Sequence, residues 1–246
     1  MKDVIAIVSR KGGSAKTTTA QALADGIRKT GARVLLVDLD AQANLTAAMG
    51  ADPGDLNVTD LFDGTTQPAR IIQHTSNGDI IAGCPELAAG DVELKSNEQL
   101  KRVIKPLLSE YDYFIIDTPA SYGRLTMNAL TAATSAIITL EPATFSEQGI
   151  DELAGIIKQI RKTNKKLNVR GILVTRCDSR SNEVKRAIEE IRAAAASIGT
   201  ELIEPPIRAT AKVFEAQRRK INLLDYAPKA TAAQDYKAVV EVLLKQ

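Results

Sequence analysis

The order of residues predicts an α/β fold, a doubly wound, mostly parallel sheet with helices on both faces. Three observations carry this expectation. Short β-branched runs alternate with longer amphipathic stretches along almost the whole chain, as a sheet covered on both sides requires. Apolar residues make up 44% of the 246 residues and aromatics only 4%, so the core is built from Ala, Ile, Leu and Val, which suits strands buried on both faces. Carboxylates and glycines also collect just after several strand-like runs, the edge at which open parallel sheets bind ligands.

Each element has its own local reason. Residues 4–8 form an unbroken apolar run and the first strand; residues 17–29 are amphipathic and helical, with Gly31 as the stop. Residues 34–37 are the second strand. From 50 to 76 no periodicity persists, and Pro53, Gly54, Gly64 and Pro68 interrupt the chain, so loops with short helical turns are expected. A strand over 79–82 leads to a helix over 97–109, which Pro106 should kink or shorten. Strands over 113–116, 136–140 and 171–175 then alternate with helices over 125–133, 147–163 and 183–197, and a last helix covers 230–244. No repeat, low-complexity tract or Pro/Ser-rich linker divides the chain, so residues 1–246 are expected to form a single domain.

Bulk features narrow the function classes. No run of eighteen apolar residues occurs, and the first strand is too short for the apolar region of a signal peptide, so a cytoplasmic protein without membrane contact is expected. Cys84 and Cys177 share no metal-ligand spacing and read as buried free thiols. Net charge is only +2, but residues 1–157 hold 13 basic and 20 acidic side chains, a net −7, whereas residues 158–246 hold 19 and 10, a net +9. If the later basic residues share a surface, it can meet a polyanion.

The first strand runs into Ser9-Arg10-Lys11-Gly12-Gly13-Ser14-Ala15-Lys16-Thr17-Thr18 and then into a helix. Glycines let several N–H groups converge on phosphate oxygens, and the helix N-terminus adds partial positive charge. Lys16 can reach the β- and γ-phosphates, and the Thr17 hydroxyl can ligate Mg²⁺. A plain Gly-rich turn would explain the glycines but not the Lys16-Thr17 pair. Two carboxylate sites follow other strands: Asp38-Leu39-Asp40-Ala41-Gln42 after the second and Asp117-Thr118-Pro119 after four apolar residues. Asp117 has the form of a Walker B acid that holds Mg²⁺ through water, although Asp also caps helices. Asp38 and Asp40 alternate in register and should face opposite sides if the strand extends that far.

The loop departs from the ordinary Walker pattern: Ala15 stands in the glycine place before Lys16, and a second lysine, Lys11, opens it. Lys-Gly-Gly-x-x-Lys-Thr-Thr resembles the deviant Walker A motif of the ParA/MinD ATPases, and the similarity extends through residues 117–121, 130–133 and 145–149. The resemblance implies a slow ATPase that binds ATP and Mg²⁺ and closes into a homodimer around the nucleotide. Lys11 would cross to the partner's ATP, and the two loops would approach at Gly12. Lys11, Lys16 and Asp40 become the catalytic candidates, with Asp40 orienting the attacking water. Gly12, Gly13, Ser14, Ala15, Lys16, Thr17 and Thr18 cradle the phosphates; Thr17, Asp38 and Asp117 form the metal set. Ala41 replaces the family's usual proline. Arg176 and Asp178 lie where relatives place adenine-pocket residues, with Arg208 and Thr210 on the other wall. A methyl at Ala15 is harmless at negative φ and strained at positive φ.

Within that family the resemblance points to the ParA type, which binds DNA without sequence preference when loaded with ATP and is stimulated by a ParB-like partner to drive plasmid or chromosome segregation. Such binding needs only phosphate neutralisation. The candidate DNA residues are Lys212, Arg218, Arg219 and Lys220, in a segment with one acid, Glu215. Residues 158–170, six basic and none acidic, are a second candidate or a solvated helix end. The protein is then expected on the nucleoid. The alternatives are a positioning ATPase for a protein cargo and a membrane-surface cell-division regulator like MinD, but residues 236–246 lack the latter's basic face. No cysteine falls between Asp117 and Leu140 to hold an iron–sulfur cluster. With the loop starting at Lys11, no N-terminal helix-turn-helix domain is expected.

Overall fold

In a computed structural model, which describes residues 3–64, 66–88, 94–144, 147–178 and 180–245, the chain forms one seven-stranded sheet. The strands are β1 (Asp3–Val8), β2 (Val34–Asp38), β3 (Ile72–Thr75), β4 (Gly78–Ile81), β5 (Tyr113–Asp117), β6 (Ser135–Leu140) and β7 (Asn168–Val174). Their order is β3-β4-β2-β5-β1-β6-β7, and every neighbouring pair is parallel except β3 with β4.

The helices are α1 (Lys16–Arg28), α2 (Asn44–Met49), α3 (Val58–Asp63), α4 (Gln99–Ile104), α5 (Arg124–Ala132), α6 (Glu147–Thr163), α7 (Asn182–Ser197), α8 (Lys212–Arg218), α9 (Leu223–Tyr226) and α10 (Thr231–Lys245). Side chains of β1 alternate between two cores, as the period of a strand requires. Val4, Ala6 and Val8 pack with apolar residues of α3 to α7, whereas Ile5 and Ile7 pack with those of α1, α2, α8, α9 and α10. Both faces are covered, which is the doubly wound arrangement expected.

Several expectations shift. Residues 50–76 contain the short helical turns expected, among them α3, which starts at a capping box between Asn57 and Asp60, but β3 adds an unforeseen antiparallel edge. Four residues with little alternation, Ile72-Gln73-His74-Thr75, give β3 no period to read. Helices α2, α8 and α9 are likewise unforeseen, since none completes two turns. Pro106 ends α4 at Ile104 and begins a 3₁₀ turn. Of residues 145–149, taken as a loop, Phe145 and Ser146 lie outside the described residues, and Glu147 onward is the start of α6. Both cysteines are buried free thiols. Among the described residues no helix is long and apolar enough to cross a membrane.

Candidate active site

The loop between β1 and α1 leaves the sheet at its carboxyl edge, where β1 lies between β5 and β6. Gly13 takes φ +82°, and Ala15 also turns left-handed at φ 59° and ψ 28° before α1 starts at Lys16. The methyl of Ala15 is therefore in the strained case. Neighbouring elements brace the loop: Ser14 Oγ lies 3.2 Å from Thr139 Oγ1, Thr175 Oγ1 donates to Ser14 O at 3.1 Å, and Arg176 Nη1 donates to Gly13 O at 3.1 Å.

Beneath the loop, Asp38 and Asp117 are register partners on β2 and β5, and both are fully buried. Thr17 Oγ1 donates to Asp117 Oδ2 at 2.6 Å, while Asp117 Oδ1 is buried without a hydrogen-bond partner. Burial raises the Asp117 pKa, Asp38 adds to the rise, and the Thr17 hydroxyl and Lys16 ammonium oppose it. Asp38 is also raised, chiefly by burial. An orphaned carboxylate oxygen beside a hydroxyl is a donor set that fits a hard divalent cation with an oxygen shell.

Asp38, expected in the metal set, is hydrogen-bonded to the turn that follows β2. Its Oδ2 accepts from Thr46 N at 2.9 Å and Thr46 Oγ1 at 2.8 Å, and its Oδ1 accepts from Asp40 N at 3.0 Å. Both oxygens thus bond to the turn into α2. The strand ends at Asp38, so the opposite-face argument for Asp40 does not apply; Asp40 sits in a turn, lines the cavity and accepts from Gln42 N at 3.0 Å. Sequence reasoning missed Thr46 and Gly83. The Thr46 hydroxyl accepts from Gly83 N at 2.8 Å, and a Cβ on Gly83 would stand 2.8 Å from Asp38 Cγ.

A cavity of about 1130 Å³ opens over the loop. It is lined by Gly12 to Thr18 and Asp40, and by Arg176, Arg208, Thr210 and residues of α8. Lys11 is exposed at the start of the loop. Asp178, expected in the adenine pocket, is not among the lining residues; it is exposed and paired with Arg180 at 3.3 Å. Arg208 lines the cavity, but its guanidinium is held by Asp235 of α10 at 2.6 Å.

Lys212, Arg218, Arg219 and Lys220 are exposed on and just after α8. Lys212 Nζ pairs with Glu215 at 2.7 Å, and the Arg219 guanidinium lies 5.3 Å from the centroid of the Tyr226 ring. Gln217 Nε2 donates to Thr18 Oγ1 at 3.1 Å and ties this helix to the phosphate loop. On α10, the Tyr236 hydroxyl lies 3.0 Å from Thr19 Oγ1. His74 lies on β3 with Nδ1 2.7 Å from Asp79 Oδ1.

Comparison with known proteins gives concordant results. A family model described as an AAA domain matches residues 2–169. The chain is 32% identical over 245 residues to the sporulation initiation inhibitor protein Soj of Bacillus subtilis, covering 96% of each. It is 31% identical to the chromosome partitioning protein ParA of Myxococcus xanthus, over 99% of this chain and 88% of that one. Among solved structures, a cobyrinic acid a,c-diamide synthase from Mycobacterium smegmatis with bound ADP and magnesium is 30% identical with a TM-score of 0.85, covering 100% of this chain and 95% of that chain.

Proposed function

Because the chain belongs to the ParA/MinD-type P-loop ATPases, we propose that it is a partition motor that pairs with a second copy across ATP, holds duplex DNA while paired, and lets go when a ParB-like partner stimulates hydrolysis. It is an ATP hydrolase, and its cofactors are ATP and Mg²⁺. The loop amides from Gly12 to Thr18 and the Lys16 ammonium bind the triphosphate. Thr17 and Asp117 would hold the metal, which would supply positive charge to offset that of the triphosphate. Asp38 acts behind them, setting the turn that carries Asp40 through Thr46 and the Asp40 N–H. Asp40 orients the attacking water, and Lys11 of the second copy adds positive charge as the γ-phosphoryl group departs.

One observation at the loop carries the paired reading. A Cβ on Gly12 would meet no atom within 4 Å, and its φ lies outside the left-handed region, so neither space nor backbone within one subunit demands glycine there. A second loop approaching closely supplies that demand. For DNA, the exposed cations around α8 need only neutralise phosphates, and Gln217 links their helix to the first turn of α1. Working around the nucleoid, the protein has no need of a membrane anchor.

The test is retention of random-sequence duplex at low salt with and without ATP. ATP-dependent retention that weakens as salt rises supports the proposal; equal retention in both states would falsify it. Lys212→Ala should lower DNA affinity with ATP hydrolysis kept, and unchanged affinity would move the contact off α8.

A further inference from the structure

We propose that Phe214 is the platform on which the base of the bound nucleotide stacks, which makes it a binding residue beyond the phosphate loop. The inference rests on the ATPase reading above. Phe214 is 63% exposed, more than Ile221 at 38% or Leu244 at 39%, the other exposed large apolar side chains among the described residues. A single exposed ring is ordinary on a protein surface, but one beside a ligand cavity is available to be covered.

Its location says what the cover is. Phe214 lines the same cavity as the phosphate loop. Gln217, one turn further along α8 and on the same helical side, donates to Thr18 and so fixes the distance between that helix and the loop. With the triphosphate on the loop amides, the base has to lie elsewhere in about 1130 Å³ of space. A purine needs a flat apolar surface there. Two aromatic side chains line the cavity among the described residues, Phe214 and Tyr236, and Tyr236 is fully buried with its hydroxyl on Thr19.

Two of the four polar residues first expected to form that pocket are otherwise engaged, while Arg176 and Thr210 line the cavity. Arg208 is clamped by Asp235, and Asp178 stands outside the cavity. The Arg218 guanidinium lies over the Phe214 ring, 5.8 Å from its centroid. A cation at that distance draws on the ring's negative face and holds the side chain beside the cavity. Because every base has a π-face, such a platform strengthens binding without choosing strongly among bases.

The chain contains no tryptophan, so Phe214→Trp introduces a single tryptophan, excited selectively over the five tyrosines, at this position. ADP and inorganic tripolyphosphate, each with magnesium, are titrated by calorimetry into wild type, Phe214→Ala and Phe214→Trp. The expected result is a loss of about tenfold in ADP affinity in Phe214→Ala, unchanged tripolyphosphate affinity, recovery of ADP affinity in Phe214→Trp, and quenching of its emission by ADP alone. Unchanged ADP affinity in Phe214→Ala would overturn the inference and leave the ATPase reading intact. So would a parallel loss for both ligands, which would make the ring a mere support for α8, or tryptophan emission that saturating ADP does not move. Failure of the wild type to take up ADP would sink both readings together.

Discussion

Ala15 carries a methyl group in the left-handed region immediately before Lys16, a conformation that costs an ordinary residue roughly 1–2 kcal/mol. Part of that strain is offset because alanine restricts the unfolded chain more than glycine does. Ala15→Gly should therefore raise the stability of the nucleotide-free protein by about 0.5–1 kcal/mol, seen as a higher urea midpoint at constant slope. A lower midpoint would mean that the methyl makes a packing contact worth more than the strain. Asp117 is a second local cost, a buried carboxylate with one oxygen unpartnered. Its folded pKa lies above the unfolded value, so the unfolded chain sheds this proton first and the nucleotide-free fold loses stability as pH rises from the ordinary carboxylate range toward the raised value. Asp117→Asn should flatten that decline and add about 1–3 kcal/mol at neutral pH, while ending magnesium-dependent hydrolysis. Melting curves across pH check the first part and phosphate release the second. Lys16→Ala should abolish nucleotide binding in calorimetry, since its ammonium is the buried cation nearest the phosphate cradle.

Helix α1 shows how far packing decides what a helix tolerates. Gly26 lies in its interior, where alanine would ordinarily gain about 1 kcal/mol. Here an added Cβ would stand 2.7 Å from Val240 Cγ2 on α10, and a β-branched side chain in a helix has little rotamer freedom to retreat. Gly26→Ala should destabilise by about 1–3 kcal/mol, and Val240→Ala in the same chain should recover most of the loss; independent, additive effects in chemical denaturation would refute the contact. The same contrast explains what the sequence disclosed. Long elements such as α6 and α7 have enough turns to display a period, and the loop from Lys11 to Thr18 is contiguous, so both are legible along the chain. Gly83, Gln217 and Tyr236 join the site through contacts spanning 37 to 217 residues and Thr46 through Asp38, eight residues away, and no local pattern marks them. Asp38 is readable as a strand-end acid, but the direction of its oxygens is set by α2, which is too short to foresee.

For the molecule as a whole, the paired state should depend on nucleotide and on the exposed loop. With Asp40→Ala to slow turnover, saturating Mg-ATP should bring the sedimenting mass to twice that of the chain, and adding Lys11→Ala should return it to the single-chain value. A single-chain mass for Asp40→Ala under those conditions would remove the basis for hydrolysis across two subunits. DNA retention should fall linearly with the logarithm of salt concentration, steeply enough to count several phosphates per bound pair. The hydroxyl contact between Thr19 and Tyr236 links the first turn of α1 to a helix that the ribosome makes 217 positions later. At roughly 5–20 residues per second, the loop leaves the ribosome many seconds before its backing exists. A nascent chain thus displays the phosphate-binding sequence on a helix whose apolar side is still bare, and its capacity to capture ATP matures only once α10 has emerged and docked.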